Sequence, residues 1–460
     1  MTDKTTPKIL IVDLVGLAPG SDGRPDHSAV KAHIEARGGT FHEGSARSLP
    51  TPEVGRPHFY YQPMLSTEAE LLAEAGDGLY DAVIAAATFL PKDTRFDLGG
   101  VRIGSGTGNM GSASWGGGDG RGGHAPLMNT PGINAGATAQ MVMKALLRVR
   151  PDLPVDEMNA LVAAGRFDTG RDLVRFPTSK LEGRIFAIVG YGNIGREVAK
   201  IARAFGMTVR VHARSHHRKW IESEGFQYAA TLRDAAADAD VLSVHIGLGP
   251  LGANGYANAR LIGDEVLSAL AIGAVVINYD RGELIDVPAL SAALSSGRVA
   301  HAAIDADLFQ DTEKGILSGP MVPYLSLLPM HAERMSLLPH AAADTDHPTR
   351  VSGALQAVDQ ILDAIQTGVT RNLKGDLPAG YTDAGINSPI GTGASQLEAL
   401  RLDAARISAL RTSAQAFLSA LDRLIEEGPA LTGEQLLLDS NRLATVLRSE
   451  SLDGPYRNRA

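Results

Sequence analysis

The sequence predicts an α/β protein, and three observations carry that expectation. Between Gly183 and Ala306, short β-branched runs alternate with helical segments, the pattern of a parallel sheet covered by helices. One of these runs ends in a glycine triplet that opens a helix, Gly190-Tyr-Gly192-Asn193-Ile194-Gly195. At 460 residues the chain is about three times a typical domain, so two or more domains are expected.

Composition narrows the partners. Apolar residues make up 44% and charged residues 21%, ordinary values for a chain with a buried core. The 43 basic and 52 acidic residues give a formal charge of -9, which argues against nucleic acid as the main partner. Cysteine is absent, so disulfides, thiolate catalysis and cysteine-ligated metal sites are excluded, and a reducing, cytoplasmic setting is expected. No secretory signal precedes the first strand, and no apolar run approaches the ~20 residues of a membrane span.

In chain order, Lys8–Asp13 reads as a buried strand, and residues 14–66 are rich in Gly, Pro and His with one helix near Ser28–Arg37. Strands follow near Tyr80–Ala87 and Gly99–Gly104. The stretch Trp115–His124 holds six glycines in ten residues. Glycine loses the most backbone entropy on ordering, so a mobile loop is expected there. Ala135–Arg148 is helical. Strands are expected at 185–189, 208–212, 241–245, 274–278 and 300–304, an irregular segment at 307–339, and a helix of about 20 residues between His340 and Gly368. The tail, 376–460, reads as a helical hairpin. Ser395 with Glu398 forms a capping box, Leu397 through Leu424 make an apolar stripe, Gly428-Pro429 is a stop, and Thr432 with Gln435 starts a second helix through Ser449.

The glycine triplet suits a dinucleotide. Gly190 would make the tight turn, Gly192 would let backbone approach a pyrophosphate, and Gly195 would let helix and strand pack closely. The helix start, Asn193 and Ile194, would then offer N–H groups and positive dipole to the phosphates. An NAD site usually has an acidic residue at the end of the second strand; here Ala213-Arg214-Ser215 stands instead. A guanidinium at Arg214 matches a 2′-phosphate, which favours NADP over NAD.

The run Asn278-Tyr-Asp-Arg281-Gly282, at the end of an expected strand, and Leu338-Pro339-His340 follow that triplet in order. With Asn129-Thr-Pro-Gly132-Ile-Asn134 and Leu181-Glu-Gly183, they make the chain resemble the D-isomer-specific 2-hydroxyacid dehydrogenase family, nearest its 3-phosphoglycerate dehydrogenase branch, over roughly residues 80 to 375. The resemblance implies two Rossmann-like or flavodoxin-like lobes, a dinucleotide lobe at 135–330 inserted into a substrate lobe at 1–134 and 331–375. It also implies a homodimer paired through the dinucleotide lobes and a small anionic 2-oxo or 2-hydroxy acid as substrate. Arg281 would hold the substrate carboxylate and polarise its carbonyl, and His340 would be the acid or base. Thr88, Gly106, Thr107, Gly108 and Asn109 would contact the substrate, and His245 and Asp305 the cofactor. The chemistry agrees, because guanidinium matches a carboxylate and imidazole titrates in the useful range.

The family pairs its His with a Glu, and family spacing from Arg281 lands on Gln310, with Asp311 and Glu313 beside it. A neutral amide can orient the ring but lends little charge. Formate dehydrogenases of this family have Gln there, so a formate-like or phosphorus-oxyacid hydride donor stays open. A non-catalytic dinucleotide sensor or scaffold on the same fold also stays open. Gln140 stands where the family usually has Glu, and Arg121 or His124 of the glycine-rich stretch lies beside the expected pocket.

Overall fold

The computed structural model describes residues 6–49, 54–149, 154–249, 251–252, 255–311, 315–340, 346–385 and the helix Ala404–Glu427. The compact unit Met1–Gly385 holds two seven-stranded sheets.

In the first sheet the strand order is Leu373–Lys374, Leu127–Asn129, Gly99–Arg102, Ala82–Ala85, Lys8–Ile11, His58–Tyr61 and Thr40–Glu43. All neighbours are parallel except Leu373–Lys374, which runs antiparallel to Leu127–Asn129. The strands His58–Tyr61 and Thr40–Glu43 emerge from the Gly-, Pro- and His-rich stretch that suggested only a helix. His58–Tyr61 is buried along its whole length because it lies between two parallel neighbours, and such a strand has no polar alternation to betray it. Thr67 and Glu70 form a capping box that starts the helix Glu68–Ala75.

The second sheet runs Met335–Pro339, Val299–Ala306, Ala274–Asn278, Val241–Val244, Ile185–Val189, Thr208–His212 and Gln227–Ala229, all parallel. Helices Ala135–Val149 and Asn193–Ala204 cover one face over a core containing Val142, Leu146, Val198 and Val211. The other face carries Leu267, Leu290, Leu294 and Tyr324. Strand Met335–Pro339 lies inside the segment that read as irregular. It is short, sits at the sheet edge and ends in a proline, which an edge tolerates. The second sheet therefore continues to Pro339, past the 330 boundary expected from sequence. The chain then returns to the first sheet. Helix His347–Thr367, capped by Asp346 and ended by Gly368 at φ +67, buries Ala354, Ala357, Val358 and Ile361 against Ile9, Ile84 and Val101.

The glycine-rich stretch, expected to be a mobile loop, is packed against its neighbours. Trp115 is fully buried, stacks on Phe96 and donates its indole N–H to the Met110 carbonyl at 2.7 Å. Gly117 N donates to Ser112 O at 3.0 Å, and Asp376 N to Gly120 O at 3.0 Å. A Cβ at Gly118 or Gly120 would collide with the backbone of Thr107 or Lys374. These glycines serve close backbone approach, a use of the missing side chain that the sequence does not distinguish from flexibility.

The strand pair Val369–Thr370 and Thr382–Asp383 lies within the first unit, so the tail begins after Gly385 and not at 376. The second unit, Ile386–Ala460, contains helix Ala404–Glu427. The expected helix from Thr432 to Ser449 and both capping pairs lie outside the described residues.

Candidate active site

The glycine triplet sits at the switch point of the second sheet, where strands Ile185–Val189 and Val241–Val244 adjoin and their connections leave in opposite directions. Gly190 adopts φ +100, and a Cβ there would strike the His245 carbonyl. A Cβ at Gly195 would strike the Gly190 carbonyl, so helix and turn meet as closely as expected. Above Gly192 the space is open, and this glycine caps the helix without a side chain to satisfy its first N–H groups. The turn thus fits a pyrophosphate. Behind it, the Arg196 guanidinium donates to Glu224 at 2.8 and 3.0 Å through Nε and lies 5.1 Å over the Trp220 ring, while the Tyr191 hydroxyl donates to the same carboxylate. His245 is buried. Its Nε2 pairs with the Ser243 hydroxyl at 2.8 Å, and among the described residues its Nδ1 has no partner. Burial pushes its pKa down to about 3, which keeps the ring neutral. Arg214 and Ser215 are exposed beyond strand Thr208–His212.

Three neighbouring strand ends bring the candidate catalytic side chains together. Strand Ala274–Asn278 leads to Asp280 and Arg281, Val299–Ala306 carries Asp305 and leads to Asp307, and Met335–Pro339 leads to His340. Register holds them together: Asn278 pairs with Ile304, Ala306 pairs with Pro339, and His340 N donates to Ala306 O at 3.1 Å. The Asn278 amide donates to the Arg281 carbonyl at 2.8 Å, fixing the turn that aims the guanidinium. Arg281 Nη1 lies 3.9 Å from Asp307 Oδ2, and its Nη2 sits so close to Gly106 that a Cβ there would collide with it. The His340 ring bonds Asp305 through Nδ1 at 3.2 Å. Burial raises the Asp305 pKa, and the bond to His340 opposes that rise. Burial also pushes Asp280 up to about 7, against the pull of Arg281 and His340. Arg281 and His340, far apart in sequence, therefore act on the same carboxyls.

Gln310 takes no part in this cluster. It lies exposed on an antiparallel ribbon, Phe309–Asp311 with Ile316–Ser318, opposite Leu317. Among the described residues, the ring of His340 bonds Asp305 and not Gln310. The chain leaves the sheet after Ala306, which carries position 310 outward. Glu313 lies outside the described residues.

The facing wall belongs to the first lobe. Asp13 closes the strand Lys8–Ile11 at φ +74 and accepts from Ala86 N at 2.8 Å, Thr88 N at 3.0 Å and the Thr88 hydroxyl at 2.7 Å. Asn109 donates to the Ala86 and Thr88 carbonyls at 3.1 and 2.8 Å. The Thr107 hydroxyl donates to Gly118 O at 2.6 Å, and Asn129 to Ser105 O at 2.6 Å. Among the described residues, the backbone N–H groups of Gly106, Thr107 and Gly108 donate to no protein acceptor. With Arg281 beside Gly106, these N–H groups are of a kind that suits an anion. Asp13 was missed in the sequence. Its signal was the acidic residue that ends the apolar run Ile9-Leu-Ile-Val12. Arg121 is exposed, and His124 pairs with Asp97 at 2.9 Å.

Residues 153–342 match the model of the D-isomer specific 2-hydroxyacid dehydrogenase, NAD binding domain. A glyoxylate reductase of Aeropyrum pernix is 31% identical over 248 residues, 54% of this chain and 68% of that protein. A 4-methyl-2-oxopentanoate reductase A of Aspergillus oryzae is 30% identical over 219 residues, 47% of this chain and 57% of its own length. The NAD+-bound 3-phosphoglycerate dehydrogenase of Entamoeba histolytica superposes with a TM-score of 0.54 over 79% of this chain and 96% of that one. At 17% identity, that likeness concerns the fold. Among the described residues, no helix is long and apolar enough to cross a membrane.

Proposed function

The chain belongs to the D-isomer-specific 2-hydroxyacid dehydrogenase family, and on that premise we propose that it transfers a hydride between a nicotinamide dinucleotide and C2 of a 2-oxo or 2-hydroxy acid. One observation carries the reading: Arg281, the His340–Asp305 pair and the amides of Gly106–Gly108 converge at the strand ends of the lobe that holds the dinucleotide turn. The bound reduced cofactor supplies the hydride. Arg281 holds the substrate carboxylate and polarises the carbonyl, and these amides take the carboxylate's free edge. As the hydride reaches C2, the carbonyl oxygen takes the proton from His340 Nε2, because Nδ1 is held by Asp305. Asp305 fixes the ring and balances the imidazolium; oxidation runs the same steps backwards. The assay is the loss of reduced-nicotinamide absorbance with a panel of 2-oxo acids. Tight cofactor binding without turnover of any of them would point instead to a dinucleotide sensor, and turnover of formate alone to a different hydride donor.

The cofactor is NADP in this reading. Strand Thr208–His212 ends without a carboxylate, and exposed Arg214 is free to take a 2′-phosphate. Arg214→Ala is expected to raise the Kd for NADPH by about tenfold while leaving NADH nearly unchanged. Equal losses for both cofactors, read by calorimetry, would refute the assignment.

The protein is a homodimer in the same reading, in a reducing, cytoplasmic setting that suits its cysteine-free sequence. Helix Val155–Ala163 of the dinucleotide lobe buries none of its residues; its Val162 is 61% exposed, and Val174 further along the chain is 83% exposed. Among the described residues this apolar surface is uncovered. Light scattering is expected to give twice the chain mass, and Val162→Asp with Val174→Asp to halve it.

A further inference from the structure

We propose that Asn129 is a positioning residue for the substrate: backed by a chain of buried amides, it fixes the Ser105–Gly106 peptide and so aims the N–H groups that receive the substrate carboxylate. The inference rests on the hydride-transfer reading and deepens it, by naming what holds the carboxylate-binding loop.

Asn129 ends strand Leu127–Asn129, opposite Arg102 of the neighbouring strand, and is 1% exposed. Its side-chain amide donates to the Ser105 carbonyl at 2.6 Å. In a trans peptide the carbonyl and the following N–H point in opposite directions. With Ser105 O drawn to Asn129, the Gly106 N–H is turned away from that buried side. A Cβ on Gly106 would collide with Arg281 Nη2, so the peptide that Asn129 fixes is the one the guanidinium abuts. Rotating this peptide would remove a donor from beside the cation.

Asn129 is itself held. Gln360, on helix His347–Thr367, donates its amide to the Asn129 carbonyl at 2.9 Å, and its own side-chain oxygen accepts from Asn372 and, at 3.3 Å, from Gln356. Asn129 N donates to Asn372 O at 3.3 Å. All four residues are buried. Apolar side chains would fill this place without desolvating four amides. What the amides add is a fixed geometry, the property that buried hydrogen-bond networks confer. Among the described residues Asn129 Oδ1 accepts no bond, so the donation to Ser105 is what orients this side chain. The loop is also tied on both sides of Gly106. Gly104 N donates to the Thr130 hydroxyl at 2.7 Å, and the Thr107 hydroxyl donates to Gly118 O in the glycine-rich stretch at 2.6 Å. The tie through Asn129 is the one on the peptide of Gly106 itself. Donors set in place beforehand need no reorganisation when the carboxylate arrives.

The test is Asn129→Leu, which keeps the branching of the side chain and removes the donor. KM for a 2-oxo acid is expected to rise about tenfold, the size of one lost hydrogen bond to a charged group, while kcat changes by about twofold or less. On protein saturated with NADPH or NADH, the Kd for oxamate, a carboxylate-bearing analogue of a 2-oxo acid, is expected to rise by the same factor in calorimetry, with the dinucleotide Kd unchanged. A role in stability alone would lower the melting temperature and leave KM and the oxamate Kd of the folded protein as they were. Gln360→Met, one step further from the loop, is expected to give the same split at about threefold, and it decides the matter should Asn129→Leu not fold. Unchanged KM and oxamate Kd in a folded variant, beside a wild type that reduces 2-oxo acids, overturn the positioning role and leave hydride transfer standing. Losses spread equally over kcat, KM and the dinucleotide Kd overturn it as well. A variant that binds oxamate more weakly, beside a wild type that reduces no 2-oxo acid, supports the positioning role and defeats the hydride-transfer reading alone.

Discussion

Replacing Arg281 with alanine is expected to lower kcat/KM for a 2-oxo acid by about a thousandfold, because two losses add if Arg281 plays the proposed role. The charge-assisted fork that holds the carboxylate disappears, and so does the cation that stabilises charge growing on the carbonyl oxygen. Arg281→Lys recovers only part of the rate, since a point charge on a flexible stem does not reproduce the fork. The crowding against Gly106 sharpens this expectation: the guanidinium fits only because that position has no side chain. The loss of Arg281 also leaves Asp280, Asp305 and Asp307 without their shared cation, so the variant is expected to melt below wild type at pH 8. Steady-state kinetics with a circular-dichroism melt check both parts. A tenfold effect or less would remove Arg281 from the carboxylate's side.

Replacing His340 with alanine is expected to lower kcat by about a hundredfold to ten-thousandfold, the range of a lost general acid, with a smaller effect on KM. The partner is the sharper question. Asp305 bonds the ring, whereas Gln310 stands exposed on its ribbon. Asp305→Asn is therefore expected to reduce kcat more than Gln310→Ala, and to move the acid limb of the pH–rate profile, because an amide does not stabilise imidazolium as a carboxylate does. A larger loss from Gln310→Ala would mean that the ribbon closes over the cleft during turnover and brings position 310 to the ring.

This pair of residues shows how far the sequence can be read. Motif order pointed to Arg281 and His340, and counting from Arg281 at family spacing pointed to Gln310. Counting assumes that the chain keeps following the strand direction after Ala306. It turns away, so the residue at the expected number is not at the expected place. Strand Met335–Pro339 and the pair Thr40–Glu43 and His58–Tyr61 were invisible for a related reason. Edge strands and fully buried strands carry little alternation, and they are defined by neighbours distant in the chain.

What the sequence determined by itself was local: the glycine turn, whose spacing is enforced by backbone geometry within six residues, the helix Ala135–Val149, and the order of the motifs. Tertiary structure alone decided what touches what. It folded the glycine-rich stretch onto Trp115 and the Thr107 loop, gave Asp13 to Thr88, and set Asp305 beside His340. The physical reason is that dihedral preference and periodicity act over a few residues, whereas hydrogen-bond partnership and desolvation depend on strands brought together across hundreds.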